Sequence, residues 1–331
     1  MKRHSAPALL LLLGCLIVAP AGFAQQRPDL LTTQALPKGH AENVLSATDI
    51  AFGVYDPRAA FESDRAVDIE HIFVFWQALD FGSFRETLAY IEQRNRMLMI
   101  TIEPYTRAEN WRDGGDQLFA EILSGKFDRE IGAICSELNT FQGEVLVRWG
   151  HDMEDPTGRY PWARADNEGY KAAYRYFASE CRRHLPKAAL VWSPKGEHNL
   201  ADYYPGDEYV DYIGLSVWGL QTYDINYHGA ARYFVETFRE KYERVAAFPK
   251  PVVITELGVA GDDAYRERWF ATLFAEISGA SSFQKLRAVV YFNDKEPWYW
   301  PLGLGSPDWR IASGWFSTAQ QAAAQRPPLT R

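Results

Sequence analysis

The chain has 331 residues, 43 of them acidic against 35 Lys and Arg, for a formal charge of −8. That balance argues against nucleic acid or an anionic membrane surface as the main partner. The length accommodates one large domain or two smaller ones.

Lys2, Arg3 and His4 precede an apolar run from Ala8 to Val18 and the small-residue stretch Ala19-Pro20-Ala21-Gly22-Phe23-Ala24. This is the layout of a secretory signal peptide. The run is too short to span a bilayer, which takes about 20 residues. Leu12-Leu13-Gly14-Cys15 has some likeness to a lipoprotein cleavage box, but the apolar stretch continues through Leu16-Ile17-Val18 and places Cys15 inside it. Cleavage near Ala24 is therefore expected, giving a secreted or periplasmic product free of the membrane. Residues 25–46 read as an irregular arm and residues 319–331, rich in Ala, Gln and Pro, as a fraying tail. With no internal repeat or linker between them, residues 47–318 are expected to form one domain, and the protein to be a monomer.

Short apolar, β-rich runs alternate through that region with longer amphipathic stretches, the pattern of βα units and a parallel sheet. Strands are predicted at 51–55, 71–76, 97–102, 144–149, from 190, 210–215, 252–255 and 288–292. Eight such runs predict a single (β/α)8 TIM barrel in the α/β class. The strands read as continuous apolar runs because parallel strands are covered on both faces. Residues 169–185 and 230–245 read as helices, so Tyr170, Tyr174 and Phe177 are expected to pack. Cys135 and Cys181 fall on consecutive predicted helices. An oxidising compartment would let them pair, and the sequence leaves paired and free thiols equally open.

In such a barrel the active site lies at the C-terminal ends of the strands, so the residues closing each apolar run are the candidates. They are rich in carboxylates and aromatics: Tyr55, Asp56, Trp76, Glu103, Asp152, Glu154, Trp192, Trp218, Glu256, Asn293 and Asp294. No zinc-type ligand spacing, Ser-His pairing, phosphate-cradling Gly loop or nicotinamide fingerprint stands out, and no cofactor is expected. What the set does supply is carboxyl groups, of which glycoside hydrolysis needs two flanking one bond. Pro251-Val252-Val253-Ile254-Thr255-Glu256-Leu257-Gly258 ends an apolar strand in a carboxylate. The fourth strand runs into Arg148-Trp149-Gly150-His151-Asp152-Met153-Glu154, continuing to Trp162. Arg148 sits in an apolar strand, where an unpaired charge is costly, and should pair with a carboxylate such as Glu256. Trp and Tyr make up much of the 15% aromatic content, and both are suited to stacking on the apolar faces of sugars. Trp218, Tyr223, Trp298 and Trp300 are candidate platforms of this kind.

The strand-four motif resembles glycoside hydrolase family 26, of the retaining clan A barrels, in which Arg is followed after two residues by His, Glu, Met and Asn. Ile102-Glu103-Pro104, Val210-Asp211-Tyr212-Ile213-Gly214, Thr255-Glu256-Leu257-Gly258 and Asp308-Trp309-Arg310-Ile311 extend the likeness over residues 50–312. The resemblance implies Glu256 as nucleophile, Asp152 at the acid/base position, and Arg148 and His151 as their support. Tyr55, Trp76, Glu103, Glu154, Trp162, Trp192, Trp218, Tyr223, Asn293 and Trp298 are read as contacts to the sugar. It further implies a secreted, endo-acting β-glycan hydrolase, with β-mannan first and β-glucan or xylan next as the polysaccharide substrate.

One departure bears on the chemistry. The family's acid/base Glu is Asp152 here, one methylene shorter, which draws the carboxyl back by about 1.5 Å. Retaining enzymes hold their carboxyls about 5–5.5 Å apart and inverting ones about 6.5–9.5 Å, so the shortening moves the pair toward the gap between them. Three readings stay open: Asp152 is the acid, Glu154 takes its place, or the barrel chiefly binds a polysaccharide with weak or no turnover, serving export or modification of an exopolysaccharide.

Overall fold

The computed structural model describes residues 44–314 apart from 48, 111, 278–280 and 313. The expected signal peptide, most of the arm and the tail lie outside these residues. Eight parallel strands close into a barrel in sequence order: β1 Ala51–Tyr55, β2 Ile69–Phe75, β3 Met97–Glu103, β4 Val145–Trp149, β5 Ala189–Trp192, β6 Tyr212–Leu220, β7 Val252–Ala260 and β8 Leu286–Phe292. The helices are α1 Phe81–Glu92, α2 Leu118–Leu123, α3 Asp128–Leu138, α4 Asn167–His184, α5 Gln221–His228, α6 Phe234–Val245 and α7 Asp263–Ile277. The alternation is less regular than expected: turns alone join β1 to β2, and two short 3-10 turns join β5 to β6.

Local signals fix the helix ends. The Asp80 side chain caps α1 through the Ser83 N–H and Asp166 caps α4 through Gly169. Arg182 and Arg183 lie in the last turn of α4, where cations interact favourably with the helix dipole. Alternate residues of each strand point inward. Ile69, Met99, Leu146, Ala189, Val191, Tyr212, Val253, Ala288 and Val290 fill the barrel floor, and Leu45 donates its N–H to the Tyr212 hydroxyl from below. The outward residues pack under the helices. Trp149 stacks on Phe177 of α4 at 5.2 Å and neighbours Tyr170 and Tyr174. Pairs of this kind add about 0.5–1.5 kcal/mol beyond their buried area. A disulfide joins Cys135 of α3 to Cys181 of α4, with their Cα atoms 5.4 Å apart.

The strands on either side of the predicted nucleophile run past their predicted ends. Glu256 lies within β7 rather than after it, and β6 continues to Leu220. The reason is a bulge. Leu215 faces Ile254 but Ser216 faces Glu256, and on the other edge β7 spends three residues from Ile254 to Leu257 where β8 spends two. The extra residue lets Thr255 and Glu256 both reach polar partners inside the barrel while Ile254 and Leu257 both join the shell core.

Candidate active site

Above the apolar floor the barrel interior turns polar. Arg148 of β4, fully buried, pairs through Nη1 with Glu256 Oε1 at 2.6 Å and donates to Thr101 Oγ1 at 3.3 Å. Thr101 in turn lies 2.7 Å from His71 Nε2. Burial and the Arg148 charge push the His71 pKa well below its usual range, so the ring is neutral. Ser193 and Thr255 meet across the barrel at 3.3 Å.

The chain leaves β4 in an unusual backbone path. Gly150 has φ +54° and Asp152 φ +53°. Asp adopts the left-handed region more readily than longer residues because its short carboxyl interferes little with the backbone. The Asp152 N–H donates to Ser193 O at 2.9 Å, and its Oδ1 is buried without a hydrogen bond. Burial, then the Glu256 charge, pushes the Asp152 carboxyl up to about 6. His151 is buried, 3.2 Å from the Tyr160 hydroxyl, and burial followed by the Arg148 and Arg159 charges keeps it neutral. Glu103 ends β3 with the Tyr105 hydroxyl at 3.5 Å. Burial and the charge of Glu256 push it up to about 8, so it holds its proton at neutral pH. Tyr55 touches the rings of Phe73 and Phe292. Burial, then the charges of Asp294, Glu103 and Glu256, raises its phenol to about 12.

Arg148, His151, Asp152, Glu256, Glu103 and Tyr55 therefore share one end of the barrel and act on one another's charges. Trp218 stands there too, half-buried against Trp309 at 4.8 Å, Trp300 at 5.6 Å and Phe292 at 5.7 Å. A Cβ on Gly258 would meet the Trp218 ring at 2.7 Å and Trp309 at 2.8 Å, so only glycine lets the two indoles lie over β7. Trp298, 54% exposed, lies on the loop after β8. Tyr223 lies on α5 with its ring stacked on Tyr227.

Other expected sugar contacts are corrected. Trp76 is buried in the helical shell between Phe127 and Trp149, its indole donating to Tyr105 O. Trp192 is fully buried against Tyr204 and Phe248. Trp162, also fully buried, stacks on Tyr160 and donates to His151 O at 2.6 Å, so it supports the loop from beneath. Asn293 donates to Asp56 and accepts the Ile311 N–H, which commits its amide to loop structure. Asp294, a strand-end residue not expected to touch sugar, pairs with Arg58. Glu154 Oε1 accepts the backbone N–H groups of Gly196 and Glu197, which ties it to the segment after β5, and its Oε2 is buried without a hydrogen bond.

Several residues of the site were missed. His71 was legible as a lone polar residue in an apolar strand. Arg159, near Glu296 of the β8 loop at 3.8 Å, and Lys241 of α6 had no local signal. Among the described residues no group of three or more His, Cys, Asp or Glu stands ready to hold a metal ion.

The profile of glycosyl hydrolase family 26 matches residues 115–283, just over half of the chain. The chain belongs to glycosyl hydrolase family 26. This family 26 chain is 25% identical over 261 residues to Endoglucanase H of Acetivibrio thermocellus, covering 75% of this chain and 26% of that protein. Over 125 residues it is 30% identical to a mannan endo-1,4-beta-mannosidase of Bacillus subtilis, covering 34% of this chain and 30% of that one. It thus spans about a quarter to a third of these relatives' length. Many solved structures share the fold, among them the following two. One is a modular endo-beta-1,4-mannanase from Cellulomonas fimi, with TM-score 0.64, 12% identity and coverage of 88% of this chain and 76% of that chain. The other is a family 26 beta-mannanase from Bacteroides ovatus, with TM-score 0.59, 16% identity and coverage of 87% and 92%.

Proposed function

We propose that this family 26 chain is an exported, endo-acting hydrolase of β-linked glycans that works with retention of configuration. Glu256 attacks the anomeric carbon while Asp152 gives its proton to the departing glycosidic oxygen. Asp152 then takes a proton from water as that water breaks the glycosyl–Glu256 bond, which returns both carboxyls to their starting states. The observation that carries this reading is the unequal setting of two carboxyls near one buried arginine. Glu256 is ion-paired at 2.6 Å with Arg148, as suits an anionic nucleophile. Asp152 keeps an unpartnered Oδ1 and a carboxyl raised to about 6, as suits a proton donor.

The relatives' names favour β-mannan, with a glucan next; xylan is the remaining candidate, and the Trp218 cluster is the platform proposed for the sugar rings. The Cys135–Cys181 disulfide supports an oxidising compartment outside the cytosol. The test is release of reducing ends from soluble β-mannan, mixed-linkage β-glucan and xylan by the wild type, Asp152→Asn and Glu256→Gln. Turnover of at least one glycan that collapses in both variants supports the reading. Binding without product, unaltered by either substitution, would replace it with a polysaccharide-binding barrel.

A further inference from the structure

The segment after β5, residues 193–197, is the wall on which the β4 loop rests. It takes the Asp152 N–H on Ser193 O, gives the Gly196 and Glu197 N–H groups to Glu154 at 2.8 and 3.1 Å, and pairs Lys195 with Asp155 at 3.3 Å. The same segment is gripped from its other side by α6. Lys241 Nζ donates to Lys195 O at 2.6 Å and to Ser216 O at 2.7 Å, and Arg244 hydrogen-bonds Gly196 O. Gly196 sits at φ +101°, and a Cβ there would meet Lys241 Cγ at 2.9 Å, so the backbone is pressed against the lysine stem. Ser216 is the β6 residue opposite Glu256, at the bulge. One ammonium therefore bridges the backbone behind Asp152 and the strand beside Glu256. The partly buried Lys241 thus exchanges water around its ammonium for two backbone carbonyl oxygens.

We infer that Lys241 is a positioning residue for the proposed reaction, tying the segment that holds Asp152 to the strand that registers Glu256 and so setting the separation of the two carboxyl groups. The inference rests on the roles assigned above. Its leverage comes from the short Asp152 side chain: misplacement by about 1 Å costs up to about 100-fold in rate, and Asp has one bond fewer than Glu with which to make up the distance.

The test compares Lys241→Met with the wild type on two substrates: the β-glycan the wild type hydrolyses, and the matching β-glycoside of 2,4-dinitrophenol. A sugar leaving group needs a proton from the acid and dinitrophenolate does not. A displaced Asp152 is expected to lower kcat on the glycan by about tenfold or more. On the glycan KM should stay within about twofold. On the dinitrophenyl glycoside kcat/KM, which reports the attack by Glu256, should be nearly unchanged, while kcat falls because breakdown of the glycosyl–Glu256 bond still needs Asp152 as base. Gly196→Ala, which pushes the same segment without removing the charge, is expected to reproduce that selectivity if Lys241→Met fails to fold. Equal losses of kcat/KM on both substrates, or full glycan activity in a folded Lys241→Met, would overturn the inference while leaving the proposed function standing. A wild type inactive on both substrates would overturn the proposed function and this inference with it.

Discussion

Asp152→Asn removes the proposed proton donor while keeping its size, and two independent readouts follow from where Asp152 sits. The first is kinetic. With the carboxyl raised to about 6, wild-type kcat/KM on a glycan should fall as pH rises through about 6, because the acid must carry its proton to act. The variant should lose about 10²–10⁴-fold at pH 5, and the alkaline limb should vanish. The second readout is stability, and its sign is opposite. A carboxyl whose folded pKa lies above its ordinary value of 3.8 favours the fold while protonated, and that contribution is lost as pH rises from about 4 to about 6. About two units correspond to roughly 2–3 kcal/mol. Asp152→Asn escapes this loss, so its thermal midpoint should exceed the wild type's by several degrees at pH 8 and match it at pH 4. Calorimetry at the two pH values, run with the pH–rate profile, checks both. An unchanged alkaline limb, or a variant less stable at pH 8, would refute the assignment.

Arg148→Met should destabilise the fold by about 3–5 kcal/mol, because Glu256 is left buried beside no cation. Urea unfolding of Arg148→Met/Glu256→Leu should recover most of that loss, and failure to recover it would show that Arg148 acts through other contacts. Trp76→Ala should cost about 3–5 kcal/mol in urea unfolding with KM unchanged, since its ring lies in the shell. Trp218→Ala should instead raise KM for the glycan with a smaller stability loss. Replacing Cys135 and Cys181 together by Ser opens a link across a sequence separation of 46, which the chain-entropy relation values at about 4 kcal/mol. The thermal midpoint should drop accordingly while activity at 25 °C persists.

The barrel was legible because each strand is buried on both faces, so eight apolar runs stood out against amphipathic helices. The ends of those strands were not legible. The run Val252–Thr255 looks finished at Glu256, yet Leu257 and Val259 return to the shell and carry β7 to Ala260, and the inserted residue at Thr255 leaves no mark in composition. Position after a strand likewise does not reveal direction: Trp76 and Trp192 stand where Trp218 stands in sequence terms, but they turn outward under the helices. The Arg148–Glu256 pair could be anticipated from the cost of a lone charge in an apolar strand. Lys241 could not, because its role depends on how α6 docks over β5 and β6, a contact that no spacing in the chain encodes.

The account depends most on Glu256 being the nucleophile that forms a covalent bond to the sugar. Incubation with a 2-deoxy-2-fluoro β-glycoside of dinitrophenol slows breakdown of any glycosyl–enzyme, and mass spectrometry of the digested protein then locates the label. The account predicts one fluorosugar per chain, on the peptide containing Glu256, and none in Glu256→Gln. A label on another carboxylate such as Glu103, or rapid turnover with inverted product and no adduct, would contradict it.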